Sequence, residues 1–594
     1  MKYARMLVFI AFLIYFPEVL LAANYTVTKG EDTNDGICDA DCSLREAVAI
    51  ANATPDDDSI YFAPNVSGLG VGLEGLGAIL LGGGGSLTIN GRGATRMGIG
   101  GNGMRRIFYR VGGGPVNIHH MAFDQGNGMG ANQGLGGAIF NGGGVMTITN
   151  SVFEYNSTQY GGAIYSSSLT PGSTPSDLTM VDCTFLYNSA KSGGAIFSGP
   201  TSTVSLINTT IAYNTTNPLG VLDGWRAGAL RAGGTVRITN STFSRNSAQG
   251  KGAAIYYDGT SLTMNNATIA FNSSSAGRNF AGGLHKATDA LNANVRNTII
   301  AHNTGDTNMP DVSGAISSQG NNIIGDVGAS TGWVASDLQN VNPLIAPLGV
   351  YGSVGIGGRN NTYFAPWGTT HALLNASPAI GAGQNCVTDA SCGSGNPPVA
   401  IPKDQRGAAR VGNVDIGAFE TNANFRARLP TGKLNQGYAY HTIIAQEVGA
   451  FVYSLGGGTL PPVLRVGSTP HTAGVDGDPI QIGTYDFAVL FTDGTNSATQ
   501  AYRLTISSDP SIVSVSGKVT TAGGTGIPYA AVVMTDQNGI SRSALANVFG
   551  YYAFPNIPVG GTYTISASSK RYTFAQNLVT ILDYIDNLDF VALP

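Results

Sequence analysis

Apolar and polar residues alternate in short segments through the middle of the chain, and this alternation returns at regular intervals. The apolar pairs are Val116 and Ile118, Met146 and Ile148, Leu178 and Met180, Val204 and Leu206, Val236 and Ile238, and Leu262 and Met264. A period of two is typical of a β-strand with one buried face. A second short strand recurs as GGAIF (136–140), GGAIY (161–165), GGAIF (193–197) and GAAIY (252–256).

Each repeating unit closes on an asparagine. These are Asn156, Asn188, Asn214, Asn246, Asn272 and Asn303, with spacings of 32, 26, 32, 26 and 31 residues. A unit of two or three short strands cannot bury its own inner face, whereas stacked copies bury it against one another. The repeat predicts a parallel β-solenoid whose neighbouring rungs lie ~4.8 Å apart.

One polar position opens each unit and should stack from rung to rung. Its members are Asn150, Asp182, Asn208, Asn240, Asn266 and Asn297. We expect these side chains to point inward as a structural ladder, bonded to one another and to the turn backbone.

Composition narrows the class of protein. The net charge is −5, so no basic field indicates a nucleic-acid partner. Charged residues make up 11% of the chain, well below the roughly 25% of an average soluble domain. The 84 glycines suit many tight turns, and a hydrophobic content of 42% suffices for a large core.

The first 23 residues have the pattern of a secretory signal peptide. Lys2 and Arg5 precede an apolar run from Leu7 to Leu21, and Ala22-Ala23 offers a cleavage site. No later apolar run is long enough to span a membrane. We predict a secreted or cell-surface protein without a transmembrane span after cleavage, and its oligomeric state is left open.

Four of the five cysteines form two close pairs, Cys38 with Cys42 and Cys386 with Cys392. Each pair can close a small disulfide loop in an oxidising compartment. A zinc site is the weaker alternative, because no histidine stands at ligand spacing. Cys183 lies inside a strand pattern and is expected to be a buried apolar residue.

Beyond the repeat, the N-terminal segment resembles a known family. The stretch DGICDADCSLREAVAIANATPDDDSIYF (35–62) is similar to the CSLREA domain of bacterial secreted proteins with a right-handed parallel β-helix of the pectate-lyase-like type. The resemblance implies that residues 24–64 cap the helix. Leu44, Ala47, Val48 and Ala51 recur at helical spacing, so a short amphipathic helix can cover the first rung.

The resemblance extends to the C-terminal segments. Residues 341–424, containing KDQRGAARVGNVDIGAFE, look like the closing segment of the same proteins, and Asp404, Arg406 and Asp415 are expected to pair there. Residues 425–508 are similar to immunoglobulin-like modules, and residues 509–594 resemble the carboxypeptidase-regulatory-like, transthyretin-type sandwich. The expected fold is all-β: a capped right-handed parallel β-helix over residues 65–340, its closing segment, and two β-sandwiches.

We find no sequence constellation for catalysis. Proteins with this fold include polysaccharide lyases, hydrolases and adhesins, so the fold alone does not assign a function. The repeats contain no pair of adjacent acidic residues, and the HExxH and GxxxxGK[ST] motifs are absent. Asp56, Asp57 and Asp58 could hold calcium, although a solvated loop is the simpler interpretation. We therefore predict no catalytic residue, no cofactor and no metal, with calcium at the aspartate run as the open alternative.

Two surfaces are candidates for ligand binding. The first joins two loops that follow the same turn, two rungs apart, and its residues are Asp223, Trp225, Arg226, Arg278, His285 and Lys286. Tryptophan with arginine and aspartate can bind a sugar by stacking and hydrogen bonding. The competing interpretation is ordinary loop packing.

The second candidate is a column of large side chains. Its members are Tyr155, Tyr187, Tyr213, Arg245, Phe271 and His302. If the column faces outward it is a platform for a glycan, and if it faces inward, which we favour, it is a core stack. The sequence thus predicts adhesion or polysaccharide or surface binding without catalysis. A lyase or hydrolase acting on the solenoid flank and a structural spacer are the alternatives.

Overall fold

The computed structural model describes residues 23–593 with internal gaps. The gaps are residues 64–65, 67–69, 74, 92–96, 131, 170–173, 217–225, 276–279, 288–289, 307, 309, 352–367, 394–396, 423, 430, 442–450, 469–472, 509–511, 522–524, 538, 582–584 and 586–587. The predicted signal peptide therefore lies outside the described residues, apart from Ala23.

Three long parallel sheets wind around a common core. Sheet 1 has eleven strands: Asn24–Val27, Asp58–Phe62, Leu87–Asn90, Val116–His119, Gly144–Thr149, Ser176–Val181, Ser202–Ile207, Thr235–Thr239, Ser261–Asn265, Ala293–Arg296 and Ser317–Ser318. Sheet 2 also has eleven: Val71–Gly72, Met97–Gly100, Met121–Asp124, Val152–Glu154, Thr184–Leu186, Thr210–Ala212, Thr242–Ser244, Thr268–Ala270, Ile299–Ala301, Ile323–Ile324 and Leu338–Gln339.

Sheet 3 completes each rung, and a short fourth sheet fills one corner. Sheet 3 contains Ile79–Leu81, Phe108–Arg110, Ile139–Asn141, Ile164–Ser166, Ile196–Ser198, Leu230–Ala232, Ile255–Tyr257, Leu284–Lys286 and Val312–Ser313. Sheet 4, between sheets 2 and 3, contains Ser189–Ala190, Thr215–Thr216, Ser247–Ala248 and Ser273–Ser274. The predicted β-solenoid is confirmed.

The alternating apolar residues of the sequence form the solenoid core. Met146 is in register with Leu178, which is in register with Val204, and all three are fully buried. In sheet 2 the rings of Phe123, Phe153 and Phe185 stack inside, with centroids 4.7 and 4.6 Å apart. Equivalent residues therefore pack directly on one another along the solenoid.

A buried ladder of asparagines runs the length of the repeat at the corner after sheet 2. Its members are the closing asparagines Asn156, Asn188, Asn214, Asn246, Asn272 and Asn303. Each Nδ2 donates to the Oδ1 of the next at 2.8–2.9 Å, and that Oδ1 also accepts from the backbone N–H of the first. The ladder ends on Asp311, whose Oδ1 accepts from Asn303 Nδ2 at 2.8 Å.

The polar column that begins at Asn150 was predicted to point inward. It lies at the corner between sheets 1 and 2, and its side chains point outward. Asn150, Asp182, Asn208, Asn240, Asn266 and Asn297 all have φ between 47° and 53°. This left-handed turn interrupts the alternation of the preceding strand and directs the side chains outward. Between neighbours in the column, the described hydrogen bonds comprise one, from Asn208 Nδ2 to Asp182 Oδ1 at 3.1 Å.

The α-helix Leu44–Ala53 packs on the first rungs. Ser43 and Glu46 form a capping box, and the predicted apolar positions are all buried. The Asn52 side chain accepts from the backbone N–H groups of Gly82 and Gly83 and donates to the Leu80 carbonyl. It thereby pairs with backbone groups at the outer edge of sheet 3, an edge that would otherwise be open to another chain.

The described part of the segment 341–424 lies along the outside of sheet 2. It contains an antiparallel hairpin of Ile345–Gly349 with Thr370–Leu373 and a short 3-10 helix, Asn385–Thr388. Thr210 and Thr242 on sheet 2 bond to Thr369 and Thr370 of this segment. Sheet 2 is therefore buried on both faces in this region.

Two buried ion pairs hold this segment together. Arg406 binds Asp404 through two nitrogens, at 2.7 and 2.9 Å, and Arg410 binds Glu420 at 2.9 Å. Asp415 does not join an ion pair, and its Oδ1 accepts from the Gly381 N–H at 2.7 Å. Burial raises the pKa of the Glu420 carboxyl to about 7, with the nearby Asp415 acting in the same direction.

Two smaller β units follow, each with two sheets. The first has a five-stranded sheet of Arg426–Arg428, Gly432–Lys433, Val452–Gly458, Gly483–Thr492 and Ser497–Ser507, and a three-stranded sheet of Tyr438–His441, Arg465–Ser468 and Ala473–Gly477. The second has a three-stranded sheet of Ile512–Thr520, Tyr551–Pro558 and Phe590–Val591, and a four-stranded sheet of Ala531–Asp536, Ser541–Leu545, Thr562–Ser568 and Asn577–Thr580. Both sheets of each unit contribute to one apolar core.

We predict that replacing a central ladder asparagine destabilises the solenoid strongly. Asn214→Ala leaves the backbone and side-chain N–H of Asn188 without their acceptor, and it removes the side-chain donor to Asn246 Oδ1, which keeps only the backbone N–H of residue 214. The expected loss is roughly 2–5 kcal/mol of unfolding free energy, because each unsatisfied buried group costs about 1–3 kcal/mol. Urea unfolding followed by circular dichroism measures it. Asn294→Ala, on the outer face of sheet 1, is the control, and an equal effect of the two variants would refute the prediction.

Candidate ligand-binding surfaces

The first predicted surface is present in part as a cluster of side chains around Tyr256 on the outer face of sheet 3, which we call the notch. Arg226 lies over the ring of Tyr256, with its guanidinium carbon 4.9 Å from the centroid. His285 stacks on the same ring, with centroids 5.6 Å apart and planes 12° apart. The structure thus brings Arg226 and His285 together, although they come from different rungs.

The other residues predicted for this surface divide into two groups. Asp223, Trp225 and Arg278 lie outside the described residues. Lys286 is described, and its ammonium donates to the Ala290 carbonyl at 2.8 Å. This hydrogen bond connects a strand end to its own following loop, so it is a structural contact.

Three residues absent from the prediction complete the notch. Asp258 pairs with Arg231 at 2.7 Å and lies 3.7 Å from Arg226. Lys251 is in bridge register with Arg226 on the next rung. Each is one of few charged residues in a charge-poor repeat, but their proximity to Arg226 follows only from the stacking of the rungs.

The notch is basic, and its histidine is neutral. Burial, with Lys251 and Arg226 nearby, lowers the pKa of His285 to about 4. At neutral pH the notch therefore combines the positive charges of Arg226, Arg231 and Lys251 with the single carboxylate of Asp258.

The second predicted surface, the column that begins at Tyr155, faces outward, contrary to the inward orientation that we favoured. Tyr155 is 46% exposed, whereas its neighbours Phe153 and Asn156 are fully buried. The cause is again a left-handed residue: φ is 54° at Tyr155, 56° at Tyr187 and 57° at Tyr213. Strict alternation would place Tyr155 on the same side as Phe153, and the turn reverses it.

The three tyrosines form a continuous stack along this corner. The ring centroids of Tyr155 and Tyr187 are 5.2 Å apart, and those of Tyr187 and Tyr213 are 5.3 Å apart. Stacked rings cover one another's faces, so the exposed part of the column offers ring edges and hydroxyls to a ligand. Tyr187 and Tyr213 are half-buried and pack against the apolar cluster that includes Leu348 of the closing segment. Hydrogen bonding, and not sugar-face stacking, is therefore the main chemistry that this corner can offer.

The far half of the column packs against the closing segment. Phe271 stacks with His302 and contacts the ring of His371 at a centroid distance of 5.3 Å. His371 is fully buried, with Nδ1 2.7 Å from the Ala346 carbonyl and Nε2 3.0 Å from Ser244 Oγ. This part of the column is structural.

Beside the aromatic column runs a column of hydroxyls. Its members are Ser157, Ser189, Thr215, Ser247, Ser273 and Thr304, each in register with the next on the neighbouring rung. Their sequence signal is simple, because each follows a closing asparagine directly. Sheet 4 carries four of them, Ser189, Thr215, Ser247 and Ser273, along a surface depression of about 440 Å³ that is also lined by Thr216, Ala248, Gln249 and Ser275.

The hydroxyls bond to one another along the column. Ser189 Oγ donates to Ser157 Oγ at 2.8 Å, and the hydroxyls of Thr215 and Ser247 lie 2.9 Å apart. A hydroxyl has one donor and two acceptor positions, so these bonds leave acceptor capacity for a ligand. The result is a regular row of hydrogen-bonding groups, one per rung.

The recurring GGAIF strand produces a second aromatic column, on the outer face of sheet 3. This column was not among the surfaces predicted from the sequence. Phe140, Tyr165 and Phe197 stack with centroids 5.5 and 5.0 Å apart, and all three are buried. The guanidinium carbon of Arg231 lies 4.6 Å from the ring centroid of Phe197. This column leads along the solenoid to the notch at Tyr256.

The predicted disulfides Cys38–Cys42 and Cys386–Cys392 are confirmed, and Cys183 is a free, buried cysteine. Of the candidate calcium ligands, Asp57 accepts from the Ser86 N–H and Asp58 accepts from Thr54 Oγ1. Across the described part of the chain, no three histidine, cysteine or acidic residues cluster as metal ligands. Likewise, no described helix has the length and hydropathy to cross a membrane.

Two family models match separate parts of the chain. Residues 514–590 match the carboxypeptidase regulatory-like domain. Residues 150–167, 182–199 and 240–258 match the Chlamydia polymorphic membrane protein repeat. The latter segments each span a sheet 2 strand, its closing asparagine and the next sheet 3 strand. No curated protein matches the chain.

Similar solved structures include a pilin subunit, the TIE protein and an enzyme, all at low similarity. The major pilin subunit BcpA of Bacillus cereus is 12% identical over 28% of this chain and 68% of the pilin, with a TM-score of 0.13. The Bacillus anthracis TIE protein is 9% identical over 28% of this chain and 39% of its own, with a TM-score of 0.13. The endo-fucoidan hydrolase MfFcnA4 from glycoside hydrolase family 107 is 12% identical over 27% of this chain and 28% of its own, with a TM-score of 0.13. These scores are too low to assign a fold or a function.

The burial of His371 predicts a pH-dependent contribution to stability. Burial lowers the pKa of His371 to about 3. The unfolded chain, with an ordinary histidine pKa near 6.5, therefore binds the proton first as pH falls. This contribution is complete above about pH 6.5 and is lost between there and pH 3.

His371→Gln, which keeps a donor and an acceptor but cannot titrate, should remove that dependence. Below pH 6.5, wild type should lose stability relative to the variant by up to about 1.4 kcal/mol per pH unit. The difference should be constant above pH 7. Urea unfolding of both proteins across this range measures it, and a difference independent of pH from 3.5 to 6.5 would contradict the assignment.

Proposed function

We propose that this protein is an extracellular, non-catalytic binding protein that holds a polysaccharide along one corner of its β-helix. The observation that carries the proposal is that a stack of tyrosines on three successive rungs runs beside a column of hydroxyls, one per rung. We define this as the hydroxyl corner: Tyr155, Tyr187 and Tyr213 with Ser157, Ser189, Thr215, Ser247, Ser273 and Thr304.

The chemistry of the hydroxyl corner suits a chain of sugars. A polysaccharide presents hydroxyl groups at a regular interval, and each can donate to or accept from a protein hydroxyl. Any one neutral hydrogen bond contributes only about 0.5–1.5 kcal/mol, so useful affinity needs several in a row. A straight row supplies them without reorganisation, because the rungs hold each group in place.

The surroundings support an extracellular location. Two disulfides are expected of a protein that folds in an oxidising compartment, and the repeat matches that of a membrane-protein family of Chlamydia. We further propose export by the signal sequence of residues 1–23, followed by secretion or display on the cell surface.

The remaining assignments from resemblance are part of this proposal. Residues 24–64 would be a CSLREA-type cap, which the helix Leu44–Ala53 supports. Residues 425–508 would be an immunoglobulin-like module, which their two facing sheets support. The boundaries of 65–340, 341–424 and 509–594 belong to the same proposal, with the terminal modules extending the protein beyond the ligand surface.

The proposal predicts that removing hydroxyls from the corner weakens polysaccharide retention. A triple variant, Tyr187→Phe, Thr215→Val and Ser247→Ala, keeps the ring stack and approximate volume but removes three hydroxyls. Loss of three neutral hydrogen bonds should weaken binding about tenfold or more. The measurement is retention of the full mature chain on a panel of neutral and acidic polysaccharides, with product analysis for new reducing ends and unsaturated sugars.

The control variant removes hydroxyl groups from another face of the solenoid. Thr179→Val and Ser205→Ala remove two neighbouring hydroxyls from the outer face of sheet 1 and should leave retention unchanged. Equal loss in both variants would refute the hydroxyl corner. Cleavage of any polymer would overturn the non-catalytic assignment in favour of a lyase or hydrolase, and no retention at all would favour the spacer.

A further inference from the structure

We infer that the notch on sheet 3 is an anion-binding site, in which Arg226, Lys251 and His285 receive a single carboxylate or sulfate group. The inference rests on the proposed function in one respect, because the acidic group would be a substituent of the bound polysaccharide. The charge, burial and position of the residues support the site itself.

The charges of the notch do not balance within the protein. Asp258 lies closer to Arg231, at 2.7 Å, than to Arg226, at 3.7 Å. Among the described residues, Arg226 has no other acidic partner within 4 Å, and Lys251 has none. Two cations are therefore present on one patch without a full complement of anions.

The cations are also partly desolvated. The Arg226 side chain is 35% exposed, and it lies over Tyr256, which is buried. Lys251 lies 5.9 Å from the centroid of Phe280, whose ring meets that of His285 edge-on. Charge-assisted hydrogen bonds are stronger where water is partly excluded, so an anion here gains more than on an open surface.

One buried hydrogen-bonding atom of the patch lacks a partner among the described residues. His285 is 7% exposed, and its Nδ1 has no hydrogen-bond partner in the described structure. Buried polar atoms normally have one, and an exception requires an explanation such as a missing ligand. An oxyanion oxygen would accept a hydrogen bond from this ring and would stabilise its protonated form.

The position of the notch connects it to the hydroxyl corner. Gln249 lines the depression beside the hydroxyl column, and Lys251 follows two residues later on the same rung. Arg226 is in bridge register with Lys251, and Ser192 with Arg226. A sugar chain in the depression could therefore place one acidic substituent in the notch while its hydroxyls contact sheet 4.

The first test titrates the site with simple anions. The full mature chain, labelled with ¹³C-histidine, is titrated with sodium sulfate and with methyl glucuronoside against sodium chloride at matched ionic strength. The His285 signal is the one that disappears in His285→Gln. We expect either anion to raise the His285 pKa from its value of about 4, and the stronger of the two identifies the carrier chemistry as sulfate or carboxylate.

Variants separate the notch from general electrostatics. Arg226→Gln and Lys251→Gln should each weaken anion binding about tenfold or more, as expected for loss of a charge-assisted hydrogen bond. Arg237→Gln, an exposed cation on sheet 1, should leave it unchanged. No anion-dependent change at His285, or equal loss in Arg237→Gln, would overturn the inference.

The second test distinguishes this inference from the proposed function. Retention is compared between a uronate oligosaccharide, its methyl ester and a sulfated oligosaccharide. Preference for an acidic form that disappears in Arg226→Gln, while the ester is still retained, supports both. Retention of all forms without preference overturns the notch alone, whereas loss of all retention with an intact His285 response overturns the hydroxyl corner alone.

Discussion

The structure depends on one constraint, the in-register stacking of parallel rungs. The backbone groups of the strands bond to the rung above or below, so an equivalent position in one repeat lies directly over the same position in the next. Polar atoms in the interior can be tolerated only if they bond along the stack. The closing asparagines meet this condition because each amide bonds to the next, and the ladder ends on the carboxylate of Asp311.

The corners decide which side chains reach solvent. At both corners of sheet 2 a residue other than glycine takes a left-handed conformation, which reverses the alternation set by the strand. Tyr155 consequently points out while Asn156 points in. This left-handed conformation places adjacent residues on opposite sides of the wall, one in the exposed column and the next in the buried ladder. The surface that we assign to ligand binding is thus a direct product of how the solenoid turns its corners.

Much of the fold could be predicted from sequence because burial follows local periodicity. The apolar pairs such as Met146 and Ile148, the helix of residues 44–53 and both disulfides follow from patterns within a few residues. The orientations of Asn150 and Tyr155 could not be predicted in this way, since they depend on a positive φ that alternation does not encode. The lateral position of residues 341–424 could not be predicted either, because it rests on contacts such as Thr242 with Thr370 across more than a hundred residues.

The candidate surfaces, like the fold, could be predicted only in part from the sequence. The sequence identified the tyrosine column and Arg226 with His285, but the partners Lys251 and Asp258 become evident only when rungs are stacked.

Our main proposal is that an extended polysaccharide lies along the hydroxyl corner. The most direct measurement is a crystal structure of the full mature chain with an oligosaccharide long enough to cross several rungs. We expect sugar density over Ser189, Thr215 and Ser247. Density confined to sheet 1 or to the C-terminal modules would contradict binding at the hydroxyl corner.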